Sequence, residues 1–264
     1  MSLLTWIILF SLLGGVLSVV VASVFLLLPA GVRSRLVPHL VSFAIGSLLG
    51  AAFLGLLPHA LAGPGVEDFH EIFLAVLLGL LGFFLLEKMV LWRHCHSDHC
   101  EAHAPGHAHA TTEHNTQAAG MMVLLGDALH NFVDGVLITA AFLTDIHLGI
   151  VTALAIAAHE IPQEVGDFVV LLHSGFSRGK ALFYNVLSSL ATVVGALLAY
   201  WGLEGMDEAL PYVLAIAASS FIYIAVADLI PGLHKRAEVH ATVQQIVLIG
   251  AGVVLIYIAH STLH

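Results

Sequence analysis

The chain has 264 residues, of which 59% are hydrophobic in class and 10% are Asp, Glu, Lys or Arg. A soluble domain carries roughly 25% charged residues, so this composition, with a mean hydropathy of +0.98, excludes a water-soluble globule and places the chain in a bilayer. Eighteen acids against eight bases leave a formal charge of −10, which argues against a nucleic-acid partner, while eighteen histidines point to metal or proton chemistry.

Crossing about 30 Å of hydrocarbon as helix takes about 20 apolar residues. Eight runs reach that length, at residues 3–28, 37–61, 69–92, 119–143, 147–173, 181–201, 209–230 and 243–263. The first has no basic stretch before it and is too long for the apolar part of a signal peptide, so it reads as a span. Continuous runs are not the short alternating strands of a barrel. The expected fold is therefore an all-α integral membrane protein with eight transmembrane helices. Spans 1–3 fill residues 1–92 and spans 4–8 fill 119–264 of one membrane domain, with residues 93–118 between them.

The bases set an orientation. Arg33 and Arg35 precede span 2, Lys88 and Arg93 close span 3, Arg178 and Lys180 precede span 6, and Lys235 and Arg236 follow span 7. All eight fall on one side, the cytoplasm by the positive-inside rule, and both termini are then extracytoplasmic. The opposite connections hold only acids: Glu67, Asp68, Glu71, Asp145, Glu204, Asp207 and Glu208. A compact chain without a large outer domain leans toward a bacterial inner (plasma) membrane. Span 2 ends in Leu57-Pro58-His59 and span 7 in Ile230-Pro231-Gly232, on opposite faces. That suits an inverted repeat of spans 1–3 and 6–8 around spans 4 and 5, a 3+2+3 arrangement. Proline as an ordinary mark of a helix end is the plainer reading.

Between spans 3 and 4 stand His94, Cys95, His96, His99, Cys100, His103, His107, His109 and His114 among Ala, Thr and Gly. This is the composition of a metal-catching tract. Two cysteines make no disulfide framework, and on the cytoplasmic side they stay thiols. On that side the tract suits buffering or sensing of metal better than selecting it; a drifted linker is the alternative.

With those seven acids in the outer connections, and Glu87, Asp98, Glu101, Glu113 and Glu238 expected at or beyond the inner surface, six of the eighteen acids remain within spans: Asp127, Asp134, Glu160, Glu164, Asp167 and Asp228. Each costs a few kcal/mol to insert and such residues mark ion or proton paths. No Lys or Arg stands in a span interior to neutralise them. In span 4, His130 and Asp134 are spaced i, i+4, and Asp127, Asn131 and Asp134 are spaced i, i+4, i+7, so all four share one stripe. In span 5, His159 and Gln163 form one i, i+4 pair, Glu160 and Glu164 another, and Asp167 extends the second. His130 and His159 both fall near mid-span, and Asp127, Glu164 and Asp167 continue toward the cytoplasm. Imidazole, carboxylate and amide oxygen together suit a divalent transition metal, zinc first and iron, manganese or cadmium after it. Pro162 is expected to bend span 5 and free the carbonyl of Ala158 beside His159.

His130-Asn131-Phe132-Val133-Asp134-Gly135 followed by His159-Glu160-Ile161-Pro162-Gln163-Glu164-Val165-Gly166-Asp167 resembles the signature of the ZIP family of divalent metal transporters. The eight spans, outward termini and His-rich connection extend the likeness over essentially the whole chain. The resemblance implies zinc uptake toward the cytoplasm by an elevator-type movement, metal held between spans 4 and 5, and a homodimer. Carried over by motif position, one site would use His130, Asp134, His159 and Gln163, and a neighbouring one Asn131, Asp134 and Glu160. Gln163 stands where relatives carry His or a carboxylate, and a neutral Gln is a weaker ligand. Span 7 offers Asp228, but Gly232 stands where a second acid often follows the proline. Glu160, Glu164, Asp127 and Asp167 would relay the ion inward, with His59 and Asp228 as further pathway residues. No cofactor is expected; the partners are the transported cation and the bilayer. Two rival classes are an intramembrane zinc peptidase, because His159-Glu160-Ile161-Pro162-Gln163 is close to His-Glu-x-x-His, and a metal sensor that does not transport. The first lacks its second His, and Pro162 disturbs the helix that should align two ligands.

Overall fold

A computed structural model describes residues 1–94, 113–234 and 238–263, and these are helical with no strand among them. In chain order the helices are α1 (Leu3–Phe25), α2 (Ala30–Leu61), α3 (Phe69–His94), α4 (Glu113–Thr144), α5 (Ile146–His173), α6 (Arg178–Leu203), α7 (Leu210–Leu233) and α8 (Val239–Leu263). With no water in hydrocarbon to satisfy N–H and C=O groups, helix is the conformation these apolar runs can take. Seven of the eight contain a stretch long and apolar enough to cross a membrane. The exception is α5, whose 28 residues suffice in length but include His159, Glu160, Gln163, Glu164 and Asp167.

The helices run past the apolar segments. Arg33 and Arg35 lie inside the first turns of α2 rather than in a loop, and α4 begins at Glu113. Cys95, His96, His99, Cys100, His103, His107 and His109 lie outside the described residues, as do Lys235 and Arg236; His94 is the last residue of α3 and His114 falls in the first turn of α4. α5 continues through Pro162 without a break. Three helices contain a turn of π-helix, at Leu13–Leu17, Ala51–Leu56 and Ile224–Leu229. In α2 and α7 the π turn directly precedes Leu57-Pro58 and Ile230-Pro231.

Packing is uneven among the helices. α4 packs most extensively on α6 and then on α5, with α1 closing against α5 and α6. α2 packs along α8, and α3 along α7. Glycines allow the tightest of these approaches: a Cβ on Gly135 of α4 would stand 1.9 Å from the carbonyl oxygen of Thr192, and one on Gly46 of α2 2.0 Å from that of Ile249. Backbone-to-backbone contact of this kind is the main adhesive between helices in lipid, where no hydrophobic driving force acts. α2 also packs along α5, where Gly55 in its π turn meets Leu148 and Val151, beside the fully buried Ala51 and Ala52.

The connection that places the site is the shortest. Asp145 alone separates α4 from α5, and its carboxylate accepts from His147 N at 2.8 Å and Leu148 N at 2.9 Å, capping α5. In an antiparallel hairpin, residues equidistant from the turn meet. His130 lies 15 residues before Asp145 and His159 lies 14 after it, about 21–22 Å along each helix.

Candidate metal centre

Those two histidines face each other. His130 Nε2 and His159 Nε2 are 3.2 Å apart, with the rings edge to face. The Nδ1 of His159 bonds to the carbonyl of Ala155 at 3.2 Å, which leaves Nε2 as the nitrogen turned inward. Asp134 Oδ2 lies 3.7 Å from His130 Nε2 and 3.6 Å from His159 Nε2; Glu160 Oε1 lies 3.3 Å and 3.5 Å from the same atoms. Three of the four side chains are essentially closed off, and His130 alone retains 23% exposure. Phe221 of α7, fully buried, stands beside the His159 ring.

These distances carry chemical meaning. Four ligands around zinc at bonds of about 2.0–2.2 Å stand about 3.3–3.6 Å from each other along the edges of a tetrahedron. The five separations above, 3.2 to 3.7 Å, match those edges. Two imidazoles and two carboxylates form a donor set for a borderline divalent cation.

A second group shares Glu160. Asp127, Glu160 and Glu164, all buried, each bring a carboxylate oxygen within 4.8 Å of the others. Among the described residues no hydrogen-bond donor is found for Glu160 Oε2 or for either oxygen of Glu164. Carboxylates gathered this way in low dielectric repel each other unless a cation or protons stand between them.

Not every residue carried over by motif position joins these groups. Asn131 is buried, but its side-chain amide donates to Asp127 O at 3.2 Å and Asp127 Oδ1 at 3.0 Å, and its carbonyl accepts from Thr192 Oγ1 of α6 at 2.8 Å. Gln163 is half-buried one turn inward of His159 and lies beside Asp127. Asp167 is half-buried one turn beyond Glu164. Asp228 is exposed in the π turn of α7, and His59 stands at the far end of α2, where its Nδ1 bonds to Gly55 O at 2.8 Å. Glu87, expected at the inner surface, lies inside α3 and accepts a hydrogen bond from Tyr223 of α7.

Thr192 is the residue that sequence reasoning missed. A signal existed: Asn185, Ser188, Ser189 and Thr192 are spaced i, i+3, i+4, i+7 on α6, and all are buried. Through Asn131, Thr192 fixes the carboxylate of Asp127. Thr192→Val, which keeps the shape and removes the hydroxyl, is expected to weaken metal binding by about 10- to 100-fold, the scale set by partners that orient ligands. Thr192→Ser should restore most of it; titration calorimetry of both variants checks this.

Comparison with known proteins adds to this geometry. A sequence model of the ZIP zinc transporter family matches residues 91–260. The zinc transporter ZIP13 of Pongo abelii is 33% identical over 229 residues, covering 82% of this chain and 65% of that protein. ZIP13 of Gallus gallus is 31% identical over 275 residues, covering 86% and 75%. The zinc transporter YKE4 of Saccharomyces cerevisiae is 30% identical over 215 residues, covering 75% and 62%. The chain thus spans about two thirds of the length of these relatives. With a family match over most of its length, and with the matched region containing both motif helices of the hairpin, the chain belongs to the ZIP zinc transporter family.

Proposed function

We propose that this protein carries zinc across the membrane toward the cytoplasm, binding it between α4 and α5. The observation that carries this reading is the tetrahedral-edge spacing of His130, Asp134, His159 and Glu160. In it, His130, Asp134 and His159 take up the partly dehydrated ion with Glu160, and Glu164, Asp127 and Asp167 relay it inward. Gln163, Asn131, His59 and Asp228 serve the path rather than the ion's first shell. Iron, manganese and cadmium suit the same donors and are expected to compete.

An elevator-type movement is the mechanism the packing favours. α1, α4, α5 and α6 form one unit fastened by Gly135 and Gly195; α2, α3, α7 and α8 form another fastened by Gly46 and Gly252. Where α2 meets α5, Gly55 lies against Leu148 and Val151, so at that point the units touch without a large side chain of α2 between them. An inverted 3+2+3 repeat with eight spans accounts for the pairing: exchanging 1 with 6, 2 with 7, 3 with 8 and 4 with 5 turns the α2–α8 contact into α7–α3 and the α4–α6 contact into α5–α1, and all four are extensive. The matching π turns before Pro58 and Pro231 fit the same exchange. Outward termini rest on the positions of the bases, a homodimer on the family resemblance, and a bacterial inner membrane on compactness alone; the relatives named above are animal and fungal.

The family is one of transporters, and the peptidase reading is set aside with it. The test is uptake of radiolabelled zinc by proteoliposomes holding wild type or His130→Ala. Wild type should accumulate zinc and His130→Ala should not. No uptake by either, or equal uptake by both, sinks the proposal. Deleting residues 94–114 should leave uptake largely intact and change its response to metal load; loss of uptake would place that segment in the path.

A further inference from the structure

A second pair of histidines joins the ends of α2 and α8. His59, in the last turn of α2, and His260, in the last turn of α8, have ring centroids 5.5 Å apart at an interplanar angle of 81°. The pair in the metal centre, His130 and His159, has centroids 5.4 Å apart at 83°. The two constellations are alike in a second respect. His59 Nδ1 bonds to the carbonyl four residues back, Gly55 O at 2.8 Å, as His159 Nδ1 does to Ala155 O. That bond engages Nδ1 and fixes the orientation of the ring, as second partners of ligating imidazoles do.

The helices hold these rings in place. α2 and α8 run parallel in backbone contact, Gly46 against Ile249 and Gly50 against Val253 and Ile256, and the same register continues to His59 and His260. Both rings are half-buried. They also lie at the acidic end of the helices. The connections α2–α3, α4–α5 and α6–α7 at this end contain acids and no Lys or Arg, while the described bases lie at the opposite end. Such one-signed charge raises the local concentration of counter-ions.

We propose that His59 and His260 form a second, separate binding site for a divalent transition-metal cation of the zinc class, built on two imidazoles from α2 and α8. The assignment concerns binding and holds whichever way the ion crosses the membrane. An edge-to-face contact made only for packing would be served as well by Phe or Tyr, and would show no response to metal.

The experiment is carbethoxylation of histidines by diethyl pyrocarbonate on the purified full chain in detergent, read residue by residue by mass spectrometry. Its readout is independent of transport and of the histidines between α3 and α4. Zinc should slow labelling of His59 and His260 together, by several-fold, and magnesium should not. His173 is the internal reference: its Nδ1 bonds to Val169 O at 2.8 Å in the same manner, it is exposed, and its labelling should stay unchanged. His260→Ala should abolish protection of His59, and His59→Ala that of His260; His260→Gln provides the same comparison if the alanine variant does not fold. Unchanged labelling of both residues with zinc, or protection of His59 that persists without His260, overturns the proposal.

Discussion

Replacing Glu160 by glutamine is expected to reduce zinc uptake by at least about a hundredfold, and replacing it by alanine to do no less. Partners outside the first shell already change metal affinity by about 10- to 100-fold, and Glu160 is placed to touch the ion itself. It is the one residue common to the His130, Asp134, His159 group and to the Asp127, Glu164 group. Glutamine keeps the volume and removes the charge, so packing is not the variable. The apo protein should respond in the opposite direction. Four buried carboxylates share this region with imidazoles as their nearest cationic partners, and removing one relieves repulsion without leaving a partner of opposite charge unpaired. Without metal, the thermal midpoint of Glu160→Gln should therefore equal or exceed that of wild type. Saturating zinc should raise the wild-type midpoint, since a ligand at a hundred times its Kd stabilises by about 2.7 kcal/mol, and should leave the variant unmoved. A variant that loses uptake but keeps the zinc-dependent rise would remove Glu160 from the binding group. The measurement is best made with residues 94–114 deleted, so that their histidines do not add zinc of their own.

The hairpin that holds this centre was readable because two periodicities agree. Polar residues at i, i+4 and i+7 must share a face of a helix whatever surrounds it, and Asp145 marks the only break between the two runs. Charge in hydrocarbon is costly, so each acid in a span announces itself. Hydroxyls do not. Ser188 Oγ donates to Asn185 O and Ser189 Oγ to Val186 O, each at 3.0 Å within its own helix, so a serine or threonine in a span leaves no unpaid group to notice. Only the tertiary structure reveals that Thr192 instead reaches Asn131 on α4 and donates to its side-chain carbonyl. The π turns and the helix extensions to Ala30 and Glu113 were hidden for a related reason: backbone hydrogen bonds set them, and hydropathy records side chains alone. His59 and His260 lie 201 residues apart in sequence, and their meeting depends on the register of α2 against α8, which glycine contacts fix and no local pattern encodes.

Gly135→Ala is expected to be severely damaging, its added methyl group making the closest approach among the described glycines, with uptake lowered by about a hundredfold and the thermal midpoint falling by several degrees. The new Cβ would lie 1.9 Å from Thr192 O, 2.7 Å from Ala196 N and 2.8 Å from Thr192 C. All three are backbone atoms of α6, so no side-chain rotation relieves the clash and the helices must separate. Gly195 shows the same closeness from the other side, where a Cβ would meet Phe132 O at 2.1 Å. Overpacking of a well-filled interior costs about 1–3 kcal/mol, and a displacement of about 1 Å at a reacting or binding group can cost a hundredfold in rate. Here both penalties fall together. Gly135 directly follows Asp134, and the contact it permits is the one across which Thr192 holds Asn131 and Thr139 Oγ1 donates to Ala196 O at 3.1 Å. Gly126, on the same helix, has open space where its Cβ would stand, so Gly126→Ala should leave uptake and stability close to wild type. Equal losses in the two variants would mean that helix backbone freedom, rather than the α4–α6 approach, is what these glycines provide.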